Sequence, residues 1–141
     1  MDDASSLLAL TVDAIVASFG EQGLDVLQGR ITEKFTEEVR KLPSPNRNSI
    51  MAAEIIDRGE RAALIKGRII EKSPERVVKK ITSCPVADLG LSPYYCELMG
   101  YTAQGICKGV DDRLKFTSIR CMTKGDPYCE WIVERESSHN S

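Results

Sequence analysis

The sequence predicts an α+β fold, with N-terminal helices packed on an antiparallel sheet built as ββ-α-ββ. Three observations carry that expectation. Residues 4–40 place apolar side chains at helical spacing. Residues 62–84 switch to short β-branched segments split by Ser73-Pro74-Glu75, a turn signal. Residues 115–134 alternate apolar and polar positions about Thr123-Lys124-Gly125-Asp126-Pro127, the pattern of a half-buried hairpin.

The first helix is expected over residues 4–19, where Leu8, Val12, Ile15, Val16 and Phe19 recur at helical spacing before Gly20. Leu24, Leu27, Ile31 and Phe35 form a second stripe that ends before Leu42-Pro43-Ser44-Pro45, with Gly20 and Gly23 bracketing the break. These stripes suit either a dimerisation surface or a helical layer over the domain's own sheet. A short helix over 49–58 follows, capped by Asn48 and ended by Gly59. Two antiparallel strands are expected near 62–72 and 76–84, with Arg76 and Lys79-Lys80 as a solvent face. Ser92-Pro93 starts a helix to about Val110, with Gly100 and Gly105 as possible interruptions. The closing hairpin runs from Lys115 to Met122 and from Tyr128 to Glu134.

The chain has 141 residues, enough for one ordinary domain that needs no disulfide to build a core. Residues 1–136 read as that single domain and 137–141 as a disordered tail. Hydrophobic residues at 42% and charged residues at 28% argue against disorder. The net charge of −2 offers no basic excess for a phosphate backbone, so no nucleic-acid partner is expected. No apolar run approaches the roughly 20 residues of a membrane span, so no membrane partner is expected either. Met1-Asp2-Asp3 lacks the basic flank of a signal peptide, and the expected location is cytoplasmic.

One histidine, His139, and five cysteines decide most of the chemistry. A lone histidine argues against Ser–His–Asp and Cys–His catalysis and against His-rich zinc sites. Cys121 and Cys129 lie symmetrically about Gly125 and would face each other in a regular hairpin. Two opposed thiolates there are close enough to share one metal ion, or to form a disulfide under oxidation. Cys96 falls in the first turns of the 92–110 helix, whose N-terminus is expected to lower its thiol pKa. Cys84 ends the second strand beside Pro85, and Cys107 lies three turns beyond Cys96. The expected metal set is Cys84, Cys96, Cys121 and Cys129, with Cys107 given to the core. Tyr94, Tyr95, Tyr101 and Trp131 are the expected walls of a ligand pocket. Asp111-Asp112 and Asp126 with Glu130 are weaker acid–base candidates.

Residues 84–131 carry Cys84-Pro85, Pro93-Tyr94-Tyr95-Cys96 and Gly125-Asp126-Pro127-Tyr128-Cys129-Glu130-Trp131. On these residues the segment resembles the L-2-amino-thiazoline-4-carboxylic acid hydrolase-like family. It is similar also to the vinyl reductase-type small-molecule-binding domains of sensory proteins. The sensory resemblance implies a zinc ion held by Cys96, Cys121 and Cys129. The glutamate of that ligand set is replaced here by Ser118, so Cys84 or Cys107 would supply the fourth position. Four thiolates suit zinc or an iron–sulfur cluster. The hydrolase resemblance implies an aspartate three residues after the helix cysteine, where this chain has Met99.

Three functions therefore stand open: a module that binds a small organic ligand beside a cysteine-held metal; a hydrolase of a small thiazoline- or amidine-like heterocycle; and a structural partner subunit. The hydrolase would use a cysteine thiolate or a metal-bound water. No catalytic residue is assigned. A homodimer through the N-terminal helices is the expected assembly.

Overall fold

A computed structural model describes residues 3–88 and 93–136. Among them the chain forms helices α1 (Asp3–Phe19), α2 (Gln22–Arg40) and α3 (Ser49–Ala62), then strands β1 (Lys66–Lys72) and β2 (Arg76–Ser83). A short helix α4 (Pro85–Asp88) and the long helix α5 (Pro93–Val110) follow, then β3 (Leu114–Arg120) and β4 (Cys129–Arg135). The expected α+β class and ββ-α-ββ order are both present. The sheet is antiparallel throughout, in the order β1-β2-β4-β3. The expected tail, His139 and the Ser92 cap lie outside the described residues.

The local chemistry places most boundaries. Gly20 takes a left-handed φ of 71° and separates α1 from α2. Asn48 caps α3, its Oδ1 accepting the N–H groups of Ile50 at 3.0 Å and Met51 at 3.2 Å. Gly59 does not end that helix. It continues to Ala62, because the residues around Gly59 pack one helical face against the sheet, and Leu64 makes the left-handed exit at φ 64°. The first strand accordingly starts at Lys66, not residue 62. Cys84 is followed by α4, a helical turn that strand alternation did not foreshadow.

Helix α5 is unbroken. Its glycines are contact points, since a Cβ on Gly105 would lie 2.7 Å from the Thr32 carbonyl oxygen of α2. Thr36 of α2 donates its hydroxyl to the Gly105 carbonyl at 3.2 Å. Small residues on α5 thus allow α2 to lie close, with α5 held between α2 and the sheet. Gln104 fastens α5 to the edge strand β3, donating to the Phe116 carbonyl at 2.8 Å and accepting the Phe116 N–H at 3.2 Å.

The inner sheet face carries Val77, Lys79 and Ile81 of β2 opposite Val133, Trp131 and Cys129 of β4. Together with Ala52, Ala53 and Ile56 of α3 and Ala103, Ile106 and Cys107 of α5, most of these form the main core. Each fully buried aliphatic side chain there contributes roughly 1.5–3 kcal/mol. Lys79 departs from the expected solvent face, being 1% exposed. Strand parity explains it: residues 77, 79 and 81 share the helix-covered face, whereas Lys80 points the other way. There Lys80 lies over the Tyr128 ring, 4.3 Å from its centroid.

Candidate functional site

A cavity of about 440 Å³ lies between the inner sheet face and helices α3 and α5. Its volume falls within the usual range for small-molecule sites. Most of its wall is apolar: Phe35 of α2, Ile55 and Ile56 of α3, Met99, Ala103 and Ile106 of α5, and Phe116 and Trp131 of the sheet. The Phe116 and Trp131 rings meet at 5.8 Å between centroids with a 43° tilt. Tyr95 lines the cavity as well. Tyr94 and Tyr101 instead pack against Val12, Leu24 and Leu98, on the side of α5 that faces α1 and α2. Helical geometry separates them: Tyr95 and Met99 share one face of α5, and Tyr94, Leu98 and Tyr101 share another.

Cys84, Cys96, Cys121 and Cys129 all line this cavity. Three elements and a turn bring them there: the end of β2, the first turns of α5, the start of β4, and the turn that follows β3. Cys107 is fully buried in the core and is not part of the cavity wall. The hairpin is less regular than its sequence symmetry implied. A register shift between Ser118 and Arg120 sets Arg120 opposite Glu130, and β3 ends there, one residue before Cys121. Cys121 opens a tight turn whose chain reversal uses Gly125 at φ 99°. Asp126 fixes that turn, its Oδ2 accepting the Cys121 N–H at 2.7 Å. Asp126 is therefore a turn clamp, and Asp111 clamps the loop between α5 and β3 by accepting the Arg113 N–H at 2.9 Å.

Within the cluster, Thr123 Oγ1 donates to Cys96 Sγ at 3.3 Å and lies 3.0 Å from Cys121 Sγ. The Met122 N–H points at Cys129 Sγ from 3.2 Å. Burial pushes the Cys96 thiol up to about 12, against the pull of its Thr123 hydrogen bond and with a further push from Cys121 and Cys84. The Cys129 thiol is pushed up to about 11, again chiefly by burial. The lowered pKa expected for Cys96 at a helix start is thus reversed, because loss of solvent outweighs the helix dipole. Among the described residues no group of three or more His, Cys, Asp and Glu side chains is arranged to hold a metal ion. The donor set is soft and suits zinc or iron–sulfur chemistry, and as placed Cys96 and Cys121 are linked through Thr123.

A polar group that the sequence reading missed sits further along the same wall. Glu60 of α3 lines the cavity, its Oε1 accepting from Lys79 Nζ at 2.6 Å and its Oε2 from Trp131 Nε1 at 3.0 Å. Lys79 also meets Asp57 Oδ1 at 2.7 Å. Burial raises the Glu60 carboxyl, while Lys79 and Trp131 draw it back. The available signal was joint: Lys79 at the inward parity of β2, with Asp57 and Glu60 three apart on one helix face.

No family model matches the sequence, and no curated protein matches it. The hydrolase-like resemblance therefore stands on its quoted residues alone. Similarity to solved structures is clearer. The chain is similar to the trafficking protein particle complex subunit 3 from Naegleria fowleri, solved covalently bound to palmitic acid, with 15% identity and a TM-score of 0.51 over 98% of each chain. It is similar also to the phenol-responsive sensory domain of the transcription activator PoxR, solved with phenol. That match has 10% identity and a TM-score of 0.58, covering 93% of this chain and 74% of the other. At these identities the likeness is one of fold alone.

Proposed function

We propose that this chain is a binding module for a small, mainly apolar organic ligand, held in the cavity between the sheet and helices α3 and α5. The carrying observation is the cavity itself, about 440 Å³ and walled by aliphatic and aromatic side chains from helices and from the sheet. The two solved structures of similar fold support the reading, since one holds palmitic acid and the other phenol. Native mass spectrometry with 4-propylphenol tests it. A one-to-one complex that survives dilution supports the module, and absence of any complex at saturating ligand removes it.

A metal on Cys84, Cys96, Cys121 and Cys129, zinc or an iron–sulfur cluster, is the second reading. The convergence of four of the five cysteines on one cavity favours it. Loading would require loss of the thiol protons and displacement of Thr123 from between Cys96 and Cys121. Metal analysis of anaerobically purified protein, repeated on Cys96→Ser, separates the cases. Stoichiometric metal lost in the variant supports a site, and metal-free wild type removes it. The hydrolase reading gains no support from the position three residues after Cys96, where Met99 presents a thioether to the cavity. A homodimer through the N-terminal helices belongs to the proposal too, supported by Leu7, Leu10, Phe19 and Val26, all exposed. Sedimentation equilibrium that returns a monomer would remove the dimer.

A further inference from the structure

The cavity wall carries a carboxylate that is held from two sides. Trp131 and Lys79 donate to its two oxygens, and Lys79, itself 1% exposed, is fixed by Asp57. Both oxygens accept in this arrangement, one from an ammonium and one from an indole N–H. Each oxygen retains a further lone pair, and the side chain cannot swing away without breaking buried bonds. A ligand that fills the apolar volume beside Trp131 therefore meets a fixed acceptor, with no second rotamer to offer.

Resting on the binding-module reading above, we infer that Glu60 is the specificity-determining residue of this cavity: it accepts a hydrogen bond from a hydroxyl or ammonium group on an otherwise apolar ligand and rejects the corresponding carboxylate. The chemistry is asymmetric. A donor on the ligand gains a charge-assisted hydrogen bond in a low-dielectric site. A ligand carboxylate brings a second negative charge to the same point and loses its hydration for no partner. Lys79 does not offset that, because Asp57 and Glu60 already engage it. Among the described residues the one cation lining the cavity is Arg120, which pairs opposite Glu130, a second lining carboxylate, beyond Trp131 toward the cysteines.

Calorimetric titration of the full chain with 1-octanol, octylammonium and octanoate at neutral pH tests the inference, because the three share one apolar body. The expected order places octanol and octylammonium on the order of tenfold to a hundredfold tighter than octanoate. Glu60→Gln, which keeps the side-chain shape, is expected to weaken octylammonium and to narrow the gap to octanoate. The order within the wild type is decisive even if the variant folds poorly. Octanoate binding as tightly as octanol, its head taken by Arg120, overturns the role of Glu60 while the cavity reading stands. No binding of any of the three overturns the cavity reading and this inference together.

Discussion

Trp131 Nε1 donates a 3.0 Å hydrogen bond to Glu60 Oε2, joining the last strand to the third helix across 71 residues of sequence. This bond sets the position of the cavity. It holds the indole beside Phe116, in a mainly apolar cavity whose wall also carries Glu60, Glu130 and a cluster of thiols. Lys79 completes the arrangement, since a buried carboxylate without a cation would be strongly disfavoured.

Replacing Lys79 with methionine is expected to destabilise the fold by about 3–5 kcal/mol, because Glu60 then remains buried without its cation and Asp57 keeps only the exposed Arg61. Lys80→Met, on the opposite sheet face over Tyr128, is expected to cost about 1 kcal/mol or less. Urea unfolding of the two variants side by side checks the contrast. Equal losses would show that Lys79 does not act through buried carboxylates.

Gly105 and Gly29 are both helical glycines, yet their alanine variants are expected to move stability in opposite directions. A Cβ on Gly105 would press the backbone of α2, with an overpacking cost of about 1–3 kcal/mol. Gly29 has nothing within 4 Å of its Cβ position, so Gly29→Ala is expected to gain up to about 1 kcal/mol of helix propensity. Thermal unfolding of both variants reads the sign directly.

Burial alone pushes the Cys107 thiol from its ordinary value of 9.0 up to about 12. The folded state then keeps a proton that the unfolded state releases. This contribution to stability is fully present below about pH 9 and is lost as pH rises toward about 12. Cys107→Ala is expected to flatten the alkaline fall in the urea midpoint. Cys107 is also expected to resist a thiol reagent in the native protein and to react only after denaturation. Rapid native labelling at Cys107 would contradict its place in the core.

Much of this architecture was legible in the sequence, because its signals are local. Helical stripes located α1 and α2, Asn48 announced the start of α3, and symmetry about Gly125 located the hairpin. The convergence of Cys84, Cys96, Cys121 and Cys129 followed from where the strand, helix and hairpin had to end. What escaped was set by tertiary contacts. Gly59 reads as a helix stop, but α3 continues past it because the sheet supports its buried face. Lys79 reads as solvent-facing until β2 is covered by α3, which supplies the carboxylates that make its burial tolerable. Tyr94 and Tyr95 are neighbours in sequence, yet α5 directs one toward α1 and α2 and the other into the cavity. The Cys96 pKa depended on how much solvent the folded cluster excludes, which no helix position alone determines.

The central claim is that the volume beside Trp131 receives the ligand, and Trp131 is the chain's one tryptophan. Its fluorescence, followed while 1-octanol is titrated into wild type and Ala103→Phe, tests the claim most directly. Ala103 lines the cavity on α5, so a phenyl ring there fills part of the space. The account predicts a saturable change in the wild type that disappears in Ala103→Phe while its far-ultraviolet circular dichroism is retained. A saturable response of equal affinity in both proteins, or none in the wild type, would contradict it.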